Sequence, residues 1–288
     1  MGQRDRNGNP IDTTAVIDAN TIPIGLYSWK IDSRFGNVTF VPVDTLTHAF
    51  QNTNDTGGMT GQYNYLGNLG SPRLSRLFFD RRDASQFFFT DPYDLTVLRP
   101  EDIIFTNTLS PFTNLSYYKT FDSRNGEERF KSYFAINANK RFGVGFYIDY
   151  LYGRGLYASQ STAFFNGGLF ASYRGDKYNM HFIFNNDNLK MAENGGIADD
   201  RYITNPLDMA EGKKEYKSYD IPTNLNKVWN HNTSYHVFMT QRYNLGFHKE
   251  KIDSVTKDSV RIIQEFVPVT SFIHTLQVDL NGRKYISY

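Results

Sequence analysis

Val144-Gly-Phe-Tyr-Ile-Asp-Tyr-Leu-Tyr152 alternates along its whole length. Val144, Phe146, Ile148, Tyr150 and Tyr152 share one face of an extended chain, while Gly143, Gly145, Tyr147 and Asp149 hold most of the other. Side chains of a strand alternate with period two, so the stretch predicts a two-faced β-strand. Residues 178–184 repeat it, with Tyr178, Met180, Phe182 and Phe184 opposing Lys177, Asn179, His181 and Asn185; Ile183 is the exception. Leu276, Val278 and Leu280 against Thr275, Gln277 and Asp279 give a third example.

Working outward, apolar and polar residues alternate in segments of roughly ten from about Leu77 onward, the length of a tilted membrane strand. Residues 130–138 and 142–152 are separated only by Asn139-Lys140-Arg141, and residues 164–173 and 178–184 only by Arg174-Gly-Asp-Lys177. The links over 153–163 and about 188–227 are longer and the second is strongly polar. Short turns at one rim and long loops at the other characterise outer-membrane barrels, whereas a compact soluble domain seldom carries a loop of about 40 residues. Residues 247–267 depart from the rule, being long where a short turn is due, and an inserted hairpin or flap is expected there.

The period alone suits a soluble sandwich as well as a membrane barrel, and composition helps to choose. Aromatics make up 16% of the chain, with 24 Phe and 20 Tyr against 2 Trp, yet no run approaches the apolar length of a spanning helix. A barrel reconciles the two facts, because only alternate residues face lipid and aromatics gather at the interfaces. A charge on the lipid side at mid-membrane costs about 2–4 kcal/mol, so Asp149 and Lys177 should point inward or sit near a rim. Net charge is +1 and there is no cysteine; this argues against nucleic acid as a partner and removes disulfides, thiolate metal sites and thiol nucleophiles.

Before the alternation begins, residues 1–75 are rich in Asn, Asp, Thr and Gly. A short hairpin is expected from 26–31 and 38–43 through Phe35-Gly-Asn37, and a loop over 51–70. The first ten residues contain no apolar stretch of a secretion signal, so the barrel reading expects that signal to have been removed.

Chemistry-bearing residues are few. His181 on the inner face suits a pore constriction or a hydrated polar lining. A Ser172–His181 nucleophilic pair would need an acidic orienter and an oxyanion hole, and nothing supplies them at a recognisable spacing. His48, His181, His231, His236, His248 and His274 form no zinc pattern. Asp199 and Asp200, with Glu193 and Asp208, read as an acidic solvated loop rather than a calcium site. Gly143-Val-Gly145 and Gly153-Arg-Gly155 lack the rest of a nucleotide loop. Arg141, Arg174 and Lys177 read as interface anchors at the short turns. No catalytic residue, cofactor or metal is expected. The candidate pore-lining residues are Asp149, Lys177, Asn179 and His181.

Several blocks resemble the putative porin family of Bacteroidota outer membranes. Tyr65-Leu-Gly-Asn-Leu-Gly-Ser-Pro72 is similar to its N-terminal signature, followed by Phe87-Phe-Phe-Thr-Asp-Pro-Tyr93. Pro111-Phe-Thr-Asn-Leu-Ser-Tyr117 resembles the segment entering its barrel, and Glu127-Glu-Arg-Phe130 the start of the next strand. Gly155-Leu-Tyr-Ala-Ser-Gln160 and Phe170-Ala-Ser-Tyr173 resemble two blocks within it. The resemblance implies an outer-membrane barrel of a Gram-negative bacterium with no established catalytic residues. It also implies that the chain is an N-terminal portion of a longer member, with seven to ten strands.

The expectation is therefore an all-β chain. A loop-rich extension over residues 1–75 precedes an antiparallel transmembrane β-barrel, whole or partial, over residues 76–288. It would pass small solutes, with outer-membrane lipid as its surroundings. The alternative is a soluble or surface-attached all-β module that binds a glycan or protein ligand.

Overall fold

A computed structural model describes residues 25–43, 56, 61–120, 126–210, 217–256 and 259–288. Parts of the expected extension, including most of the first half of the 51–70 loop and His48, lie outside the described residues. The main feature is a seven-stranded antiparallel meander in which every strand pairs with its neighbour in sequence. Its strands are β6 (Phe112–Lys119), β7 (Glu127–Asn137), β8 (Phe142–Arg154), β9 (Ser161–Arg174), β10 (Tyr178–Glu193), β11 (Val228–Thr256) and β12 (Ser259–Ser287). β6 and β12 stand at the two ends and do not pair, so the barrel is not closed. Among the described residues no helix is long and apolar enough to cross a membrane.

The short connections are built by local chemistry. Asn139 Oδ1 accepts the backbone N–H groups of Arg141 at 2.8 Å and Phe142 at 2.9 Å, which turns β7 into β8. Gly175 N–H donates to Tyr178 O at 2.9 Å across the next turn, and Arg141 ties the two turns together through Asp176 at 3.0 Å. At the opposite rim the β10–β11 loop holds two short helices, α1 (Arg201–Thr204) and α2 (Pro206–Met209). β10 runs to Glu193, beyond the expected start of that loop near 188, because Leu189 and Met191 still pack inward. The anomalous stretch at 247–267 is a hairpin: β11 and β12 stay paired out to Thr256 and Ser259. It runs well past the rim marked by the Tyr178–Tyr243 pair.

Parity sorts the two faces as the sequence predicts. On β8, Gly143, Gly145, Tyr147, Asp149, Leu151 and Gly153 are buried, and Val144, Phe146 and Ile148 are not. Leu169 on β9 and Leu280 on β12, on the same outer face, are 56% and 65% exposed. Aromatics mark one edge of this face. Phe142 pairs with Tyr173, Tyr178 with Tyr243, and Tyr243 with Phe272, with the Tyr173 and Tyr178 rings 5.8 Å apart. Tyr152 marks the other edge, ten positions along β8, or about 25 Å of height at ~3.3 Å per residue and ~40° tilt.

Residues 76–110 were expected to begin the barrel but contain none of the large sheet's strands, the first of which starts at Phe112. They continue the N-terminal segment, and the buried side of the sheet is buried by that segment. The expected hairpin is there as β1 (Tyr27–Ile31) and β2 (Val38–Val41), in register Trp29 to Phe40. β1 also pairs with β5 (Phe105–Asn107), and β3 (Tyr63–Tyr65) pairs with β4 (Arg73–Ser75). The segment shares its core with the wall: Trp29, Ile31, Ile103 and Phe105 pack on Tyr147, Phe170, Ile183 and Phe238. Nearer the long-loop rim, Leu69 and Tyr93 pack on Leu151, Phe164, Leu189 and Met191. The described residues of 25–110 are thus a plug seated on the inner face.

Candidate functional site

Gly36 shows how closely the plug approaches the wall. Its φ is +63°, and a Cβ there would stand 2.7 Å from Thr240 Oγ1 on β11, so only glycine serves both the turn and the contact. Asp32 caps the same turn by accepting from Phe35 N–H at 2.8 Å. Arg242 donates to Phe35 O at 3.0 Å and Asn37 Oδ1 at 2.6 Å, and Thr275 to Arg34 O at 3.2 Å. The hairpin tip is therefore pinned to β11 and β12.

Trp29 forms the centre of the lower contact. Its indole N–H donates to His181 Nε2 at 3.1 Å, so that nitrogen carries the lone pair and the ring proton sits on Nδ1. Phe105 stacks on Trp29 at 5.9 Å and meets His181 edge-on at 4.9 Å. The Arg174 guanidinium lies 4.7 Å from the Trp29 ring centre, with Tyr27 and Phe40 completing an aromatic enclosure. Arg174, expected as an interface anchor, instead faces the plug.

The four expected lining residues are not brought together. His181 is 3% exposed and covered by Trp29 and Phe105. Asp149 is buried and held by Arg129 at 3.0 and 2.7 Å, while Arg129 also donates to Leu95 O of the plug. Asn179 is half-buried on the inner face, paired with Arg174 and Arg242. Lys177 is exposed in the β9–β10 turn. Cross-strand register places Asp149 beside Asn166 and Asp187, six positions along β10 from His181 and thus about 20 Å away at ~3.3 Å per residue. Asp149 therefore stands well along the wall from His181.

Asp199, expected in an acidic loop, is partly exposed. Hydrogen bonds from Arg201, at 2.6 Å for the closest, hold its carboxyl below the usual range. Trp29, Arg129 and Asp187 are features that sequence reading missed. Parity along each strand places the last two inward, but their partners emerge only once the register between strands is known.

A family model described as "Putative porin" matches residues 25–288, which include both the plug and the wall. No curated protein and no solved structure matches. On the family match, which runs over most of its length, the chain belongs to this porin family.

Proposed function

We propose that the protein is a porin-like channel of an outer membrane, passing small solutes by passive or weakly selective diffusion through an interior that the plug narrows. The observation that carries this reading is the sorting of the meander: an apolar outer face edged by aromatics and left exposed, and an inner face whose polar row lies between two apolar patches that the plug covers. Such a face suits lipid, and a soluble glycan-binding module would gain nothing by exposing it. Inner-face charges such as Asp149 would then set local field and width.

Two measurements on detergent-refolded protein test this together. Boiled and unboiled samples are compared by electrophoresis, and single-channel conductance is recorded in planar bilayers. A heat-modifiable band with discrete conductance steps is expected. A heat-modifiable band without steps would leave the barrel standing and remove the pore. Lys177→Glu should shift ion selectivity only if the rim turn borders the path; unchanged selectivity would strike Lys177 from the lining.

A further inference from the structure

Between the two apolar contacts of the plug, the inner face carries an unbroken polar row. Direct cross-strand partners run Lys131, Asp149, Asn166, Asp187, Ser234 and Asn281, from β7 to β12. Paired side chains stand about 5 Å apart at Cβ, so neighbouring members share a small volume. The middle of the row is sealed by the plug: Asn166, Asp187 and Ser234, with Asn185 and Asn232 beside them, are each at most 2% exposed.

These groups carry an unusual excess of unpartnered oxygen. Both carboxylate oxygens of Asp187, Oδ1 of Asn185 and of Asn232, Oγ of Ser234 and the Tyr147 hydroxyl have no hydrogen-bond partner in the protein, and of the nearby donors Asn166 Nδ2, on the strand beside Asp187, has none either. The amide nitrogens of the two asparagines are already used, on plug carbonyls of Leu98 and Phe89. That leaves their oxygens turned to the interior. Register brings three of these residues together: Ser234 is the direct partner of Asp187 and Asn232 its diagonal neighbour, whereas Asn185 stands four positions from Asn232 along the strands, about 13 Å at ~3.3 Å per residue. Buried polar groups in native proteins are satisfied by something. Carboxylate, amide and hydroxyl oxygens together are the donor set of a hard cation.

Charge points the same way. Arg129 is engaged by Asp149 and Leu95 O, and Arg283 by Asn230 and the Phe89 ring. The nearest basic group to Asp187 is His236, whose Nε2 is 3.5 Å from Oδ2 and whose Nδ1 is 2.8 Å from Asp279 Oδ1. If Nδ1–H donates to Asp279, a neutral ring turns a lone pair toward Asp187 and leaves the carboxylate without a counter-charge. A buried charge in that state is strongly disfavoured. Among the described residues no group of three or more His, Cys, Asp or Glu is placed to hold a metal. The donor set is therefore neutral oxygens around a single acid.

We propose that Asp187, Asn232 and Ser234 form a binding site for a small hard cation, of the calcium or sodium class, between the wall and the plug. Entry is past His236 and Asp279, whose side chains are about a quarter exposed. The site goes beyond the pore reading, since it would be filled whether or not the protein conducts.

The test uses the refolded full chain, with terbium luminescence excited through tyrosine, displacement by calcium or sodium chloride, and calorimetry with each salt. A saturable one-to-one signal is expected, weakened at least tenfold by Asp187→Asn and reduced by Ser234→Ala. Asp199→Asn, on the exposed loop, should leave it unchanged. Heat-modifiable mobility certifies that each variant is folded, and Ser234→Ala keeps the test decisive if Asp187→Asn does not fold. Absence of binding, or binding indifferent to both substitutions, overturns the proposal and assigns the counter-charge to a protonated His236. Conductance recorded in parallel separates the two readings: a protein that conducts without binding cation loses only the site, and one that binds without conducting loses only the pore.

Discussion

At the scale of single residues, the interior is held by pairs that sequence shows only one half at a time. Asp149 was legible as an inward acid from the alternation around Tyr147. Its partner Arg129 was not, because it lies on another strand and sits beside Leu151 in register. Arg129→Met should destabilise the protein by about 3–5 kcal/mol by leaving a buried carboxylate alone. Arg129→Met combined with Asp149→Leu should recover most of that loss, as read from urea midpoints in detergent. Tyr93 of the plug gives a second prediction, in pH. Burial, helped by the charge of Glu193, pushes its hydroxyl up to about 12, against about 10 for an exposed tyrosine. The unfolded chain ionises first as pH rises, so the contribution is full below pH 10 and is lost between about 10 and 12. Tyr93→Phe should remove roughly 3 kcal/mol of alkaline destabilisation at ~1.4 kcal/mol per unit, measured as the difference between the two proteins' stability profiles.

At the scale of elements, the strands and their short turns were legible because period two and turn chemistry are local. Asn139-Lys140-Arg141 and Arg174-Gly-Asp-Lys177 carry their own hydrogen bonds, so no distant contact is needed to place them. The plug was not legible beyond its first hairpin. Residues 76–110 contain 3-10 turns and one short strand whose placement depends on the wall, and only the completed inner face explains why Leu95 or Leu98 should stand where they do. Outward and inward positions of one strand should respond in opposite ways to charge. Ile148→Arg, on the outer face of β8, should lower folding yield into bilayers and cost about 2–4 kcal/mol if the outer face meets lipid. The same substitution should be well tolerated if that face is wet.

At the scale of the molecule, plug and wall meet in two apolar contacts, and the absence of cysteine makes their coupling measurable. Asn68 Nδ2 lies 3.2 Å from Thr162 Oγ1, joining plug to wall near the long-loop rim. Paired Asn68→Cys and Thr162→Cys substitutions should form a disulfide that narrows conductance fluctuations, with reduction restoring them; equal traces in both redox states would show that the plug does not move during conduction. The pinning of the β1–β2 tip has a further consequence, in time rather than space. Each wall strand meets a neighbour made just before it, so the meander can zip up hairpin by hairpin. Arg34, by contrast, must wait for Thr275, which lies 241 residues later in the chain. Loop closure over such a span is slow and entropically late. The β1–β2 hairpin, made before every wall strand, is thus among the last elements to find its place, and until then its tryptophan and phenylalanines must be kept from other partners.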